Sequence, residues 1–124
     1  MNEGQAELQT ACEKGNFAVA MHLIRKGCKA DQVDEWGWTA FGRAASKGHA
    51  EICRYLMASG VDANLASTHG VTALHEASRE GHINTIYYLR EMGADPYHKN
   101  LAGTCKIVHR FAYLILIVRF GFLR

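Results

Sequence analysis

Ten of the twelve glycines in this 124-residue chain lie on three ladders with a rung every 33 residues. Gly4, Gly37, Gly70 and Gly103 form one ladder. Gly15, Gly48 and Gly81 form the second, and Gly27, Gly60 and Gly93 the third. A single globular core has no use for glycine at a fixed long period. A stack of near-identical supersecondary units does, because each unit makes the same tight turns at the same places. The chain therefore reads as a repeat protein, and a binding surface is its expected product.

The hydrophobic fraction of 48% and charged fraction of 21% fit a folded chain rather than a disordered one. A single proline is too few for a proline-rich linker. Charge is unevenly placed. Residues 1–105 hold ten Lys/Arg against twelve Asp/Glu, whereas Lys106, Arg110, Arg119 and Arg124 face no acid at all. The body thus lacks the basic footprint of a nucleic-acid binder. Cys12, Cys28, Cys53 and Cys105 form no C-x-x-C pair, and the first residues are polar and acidic with no apolar signal-peptide core. Reduced thiols and an intracellular setting, cytoplasmic or nuclear, are expected. Cys12 and Cys53 fall at helix positions expected to be buried, where Cys acts as a small hydrophobe.

Each unit has the same grammar. Gly37 and Gly70 follow polar or aromatic turn residues. Thr39 and Thr72 then precede apolar, Ala-containing runs, as helix N-caps do. Ala44 and Ala45, like Ala77 and Ser78, put small side chains where another helix approaches. Gly48 and Gly81 end the first short helix as left-handed caps. His49 and His82 open a second helix, whose apolar positions Ile52, Cys53, Leu56 and Met57 recur at helical spacing. Ile86, Leu89 and Met92 do so in the next unit, and Gly60 and Gly93 end these helices. Two short helices and a turn cannot bury their own apolar faces, so such units stack.

With G-W-T-A-F-G-R-A-A-S-K-G-H from Gly37 and G-V-T-A-L-H-E-A-S-R-E-G-H from Gly70, the chain resembles the ankyrin-repeat family over roughly residues 4–106. The resemblance implies an all-α solenoid of stacked helix-turn-helix units joined by β-turn or hairpin fingertips. The expected division is a capping repeat at 1–32, repeats at 33–65 and 66–98, and the start of a broken fourth at 99–106. A non-repeat tail follows at 107–124. Ala40 and Ala73 replace the family's Pro, Phe41 its Leu, and Gly42 its His. Only His75 retains the partner for a Thr–His contact, so that contact is expected in the third unit and not in the second.

The fourth unit starts in phase at Lys99–Gly103 and then breaks, with Leu114 where the next rung is due. Such a break is expected of a truncated or alternative form. Phe111 to Val118 carries no charge, but eight residues fall short of the ~20 of a membrane span. Three readings of the tail stand: a packed end cap, a self-associating β-prone segment, and a basic membrane-surface anchor.

Seven histidines and four cysteines show no two-ligand spacing typical of zinc, so no metal is expected. No nucleophile elbow, phosphate loop or paired-acid motif is present, and nothing brings Ser46, His49 and Asp62 together. Neither catalysis, a cofactor nor a small-molecule substrate is expected. Binding of a partner protein is. In the family, turn tips and the exposed face of the first helix line a concave surface. Carried over by position, that surface is Glu35, Trp36, Trp38, Ser46 and Lys47 from the second unit and Thr68, His69, Val71, Arg79 and Glu80 from the third. Leu101, Ala102 and Thr104 would extend it. The sharpest feature is W-G-W, because a turn needs no aromatic to fold and Trp is enriched among interface anchors. The competing reading packs one Trp on the neighbouring turn at Thr68 or His69. Asp62-Ala63-Asn64 resembles the segment that asparaginyl hydroxylases modify in this family, which makes Asn64 a candidate for hydroxylation; a loop Asn bonding the backbone is the simpler reading. The expected role is adaptor or scaffold. The alternative is a regulatory or substrate-presenting subunit, for a ubiquitin ligase or a signalling enzyme.

Overall fold

The computed structural model describes residues 3–95. The fingertip expected at 99–106, with Leu101, Ala102 and Thr104, and the tail at 107–124 lie outside the described residues. Within them the chain forms three antiparallel helix pairs. These are α1 (Glu3–Lys14) with α2 (Phe17–Arg25), α3 (Ala40–Ser46) with α4 (Ala50–Ala58), and α5 (Ala73–Glu80) with α6 (Ile83–Glu91). Helices α1, α3 and α5 pack side by side in one row, and α2, α4 and α6 in a second. This is the stack that the glycine period predicts, with the all-α architecture that the family resemblance implies.

Burial explains the stacking. Leu8, Cys12, Phe41, Ala44, Ala45, Cys53, Leu56, Leu74, Ala77, Ile86 and Leu89 are all fully excluded from solvent. They form one continuous core with members from every helix pair. The small residues Ala44, Ala45 and Ala77 let the first row close up. Both buried thiols, Cys12 and Cys53, are pushed up to about 12, first by desolvation and at Cys53 also by the neighbouring Cys12. They remain protonated packing groups at neutral pH.

The turns carry the period. Gly48 adopts φ +77 just past α3, and Gly81 caps α5 at φ +76. At Gly48 a second constraint joins the left-handed backbone. A Cβ there would stand 2.6 Å from His82 Nδ1, and one at Gly15 would stand 2.5 Å from His49 Cε1. Each imidazole lies on the glycine of the preceding pair and donates to a carbonyl there: His49 Nε2 to Glu13 O and His82 Nε2 to Ser46 O, both at 2.9 Å. Neither His caps its own helix through its side chain. The Gly-His pair is therefore a staple between units, repeated once per period.

Ahead of α3 and α5 the chain makes two fingertips, called the second and the third after the repeats they belong to. Each is closed by one antiparallel bridge, Val33 to Thr39 and Ala66 to Thr72. The fingertips touch: Thr68 N donates to Gly37 O at 2.9 Å. Thr39 and Thr72 are N-caps, accepting from Gly42 N and His75 N respectively. At Thr72 the cap is reciprocal, because His75 Nδ1 accepts from Thr72 N at 3.0 Å and lies 2.9 Å from the Thr hydroxyl. The Thr–His contact thus forms in the third unit, and Gly42 leaves the second with a one-way cap.

Candidate functional site

The first-row helices and the fingertips form one face. On it, the second fingertip is organised by Asp34, a residue outside the sequence-based site. Its Oδ1 accepts from Trp36 N and Trp38 N, both at 2.9 Å. This fixes the W-G-W turn by an Asx-type bond. Its Oδ2 takes Arg43 Nη2 at 2.6 Å and Nε at 3.1 Å. The Arg43 Nε also bonds Gln9 Oε1 at 3.1 Å, and Gln9 Nε2 donates to Trp38 O at 3.2 Å. Burial alone would raise the Asp34 carboxyl. The Arg43 bond, with the Trp38 and Trp36 amides, outweighs it and holds the group below its ordinary range.

Arg43 also lies near both indoles, 5.9 Å from the Trp36 ring centre and 5.3 Å from that of Trp38. The two tryptophans are unequal. Trp36 is 65% exposed, whereas Trp38 is half-buried. The glycine between them packs closely on the neighbouring fingertip, since a Cβ at Gly37 would sit 2.9 Å from Thr68 Cβ. Trp36 walls a cleft of about 450 Å³ with Thr10, Glu13 and Glu35. Trp38 walls a second, of about 270 Å³, with His69, Val71, Glu76 and Arg79.

The third fingertip repeats the backbone with different chemistry. Ser67 stands where Asp34 stood, and its Oγ accepts from His69 N at 3.2 Å and Val71 N at 3.3 Å. Glu76 replaces Arg43. It is buried and pairs with the exposed Arg79, which also lies 3.6 Å from Glu80 Oε1. Desolvation raises the Glu76 carboxyl, with Arg79 opposing and Glu80 adding to the rise. Of the remaining positions read from sequence, Glu35, Lys47, Thr68, His69, Arg79 and Glu80 are exposed, and Ser46 and Val71 half-buried.

Asn64 has both amide atoms engaged. Its Oδ1 accepts from Asp95 N at 2.7 Å and its Nδ2 donates to Gly93 O at 3.3 Å. It ties the loop after α4 to the loop after α6.

Sequence reasoning missed the Asp34–Arg43–Gln9 network. The available signal was Asp34 two residues ahead of Trp36, the spacing of an Asx turn. It also missed a groove of about 590 Å³ on the second row, lined by Phe17, Tyr55, Tyr88 and Met92 among others. There Phe17 and Tyr55 meet edge to face at 5.7 Å, and Arg54 lies 4.8 Å over Tyr88. Tyr55 and Tyr88 are one period apart, which was the clue.

Among the described residues, no group of three or more His, Cys, Asp or Glu is arranged to hold a metal ion. No helix among them is long and apolar enough to cross a membrane. Residues 8–100 match the family described as ankyrin repeats, in three copies. A search of curated proteins returns no match.

Proposed function

Because the chain belongs to the ankyrin-repeat family, whose members are generally protein–protein interaction modules and typically non-catalytic, we propose that it is an adaptor or scaffold that docks a partner protein on its fingertip and first-helix face. The observation that carries this reading is Trp36. An indole left 65% exposed on an ordered turn serves no core. Its backbone is already fixed by Asp34. Large aromatics held rigidly at a surface are the usual anchors of interfaces, because they bury much area while losing little conformational freedom.

Trp38, Glu35, Ser46, Lys47, Thr68, His69, Val71, Arg79 and Glu80 surround that anchor in our assignment, with repeats at 33–65 and 66–98 supplying them. Among the described residues Cys12, Cys28 and Cys53 are free thiols, which suits an intracellular setting. Affinity capture from cells tests the reading. A Trp36→Ala chain should lose captured proteins that the wild type retains, at a similar melting temperature. An unchanged set of captured proteins overturns it.

A further inference from the structure

We propose that the cleft beside Trp36 receives a cationic side chain, the guanidinium or ammonium of an Arg or Lys on the partner polypeptide; this rests on the docking face assigned above and names the chemistry it selects. One cleft is lined by Trp36 and Arg43 and the other by Trp38, and their charges differ. In the smaller one Glu76 is paired with Arg79, so its ionised lining is balanced. In the larger one Arg43 is neutralised by Asp34 at 2.6 Å. Glu13 and Glu35 remain, and neither carboxylate pairs with a cation among the described residues. The larger cleft thus has an uncompensated charge of about −2, beside an exposed indole.

An anionic rim and an aromatic wall together favour a cation over a neutral group of the same shape. The ring's negative face attracts it, and the carboxylates accept its N–H bonds. Arg43 sits near the Trp36 ring at 5.9 Å, yet the indole is 65% exposed, so most of its surface stays available. The volume of about 450 Å³ admits a long side chain together with its flanking backbone. A partner carboxylate there would meet Glu13 and Glu35 with like charge, which directs acidic segments elsewhere on the face.

The test uses the full chain, labelled with ¹⁵N, and three pentapeptides: acetyl-Gly-Ser-Arg-Ser-Gly-amide, its Lys counterpart and its citrulline counterpart. Citrulline keeps the shape of Arg and removes the charge. The Arg and Lys peptides should shift the Trp36 indole N–H and the Thr10 and Glu13 amides saturably. Citrulline should bind at least about threefold more weakly, and E13Q/E35Q should weaken the Arg peptide by a similar factor. Dispersed amide spectra of the variant establish that it is folded. Equal shifts from citrulline overturn the cation reading while leaving docking on this face intact. Absence of any saturable shift at these residues also overturns it, and capture that still depends on Trp36 then separates that failure from failure of the docking role. Arg and Lys peptides that bind the E13Q/E35Q chain as tightly as the wild type overturn it as well.

Discussion

The second and third fingertips have nearly the same backbone and opposite internal chemistry. In the second, a buried carboxylate is held charged by a guanidinium and two backbone amides, and two indoles stand over the pair. In the third, a serine hydroxyl makes the turn, and the buried carboxylate lies one turn into the helix with a half-exposed arginine as partner. The period fixes where a turn must be. It leaves free which polar group satisfies that turn, and this choice decides what the surface offers a partner.

The largest expected effect comes from removing the organiser of each turn. Asp34→Ala strands Arg43 and frees two backbone amides, and should cost about 2–3 kcal/mol in urea unfolding. Ser67→Ala removes one hydroxyl from a more exposed turn and should cost about 0.5–1 kcal/mol. Equal losses would break the contrast between the two fingertips.

Caps should sharpen it at the next level. Thr72→Ala removes a reciprocal cap with His75 and should cost about 1–2 kcal/mol by the same assay. Thr39→Ala removes only the bond to Gly42 N and should cost about 1 kcal/mol or less. A larger loss at Thr39 would contradict the one-way cap.

The smallest effect concerns acid, and the signs are opposite. The folded-state value of Asp34 is depressed, so its stabilisation is complete above the ordinary carboxylate value and is lost as pH falls through the lower folded value. The folded-state value of Glu76 is raised, so its ionised form costs stability at neutral pH. That cost disappears as pH falls through the folded value towards the ordinary one. Glu76→Gln should therefore leave stability at pH 7 unchanged or higher and abolish a small gain on mild acidification. Asp34→Asn should remove part of the loss at lower pH. Melting temperatures across pH 3–7 check both (about the span of carboxylate titration).

Much of the fold was legible because it depends on what recurs. Gly15 and Gly48 recur since each must take a left-handed turn beneath the next imidazole, and Thr39 and Thr72 since each helix needs a cap. The candidate site was legible only in outline. Trp36 stood out as an aromatic with no folding duty. Asp34 and Arg43 escaped notice because their counterparts are Ser67 and Glu76, so the ruler that located the turns gave no weight to them. Gln9 is 34 residues from Arg43, and no local pattern joins them. The second-row groove was hidden for another reason: Tyr55 and Tyr88 stand beside the core positions Leu56 and Leu89, outside the helical core pattern, and only packing places them at a groove.

The division of labour between the fingertips is tested most directly by the affinity of a captured partner for two single variants, with melting temperatures measured alongside. Trp36→Ala should weaken binding at least about thirtyfold, near 2 kcal/mol, while His69→Ala, its counterpart one period on, should stay within about threefold. Both should melt close to the wild type. Loss of affinity at His69 with none at Trp36 would contradict the account.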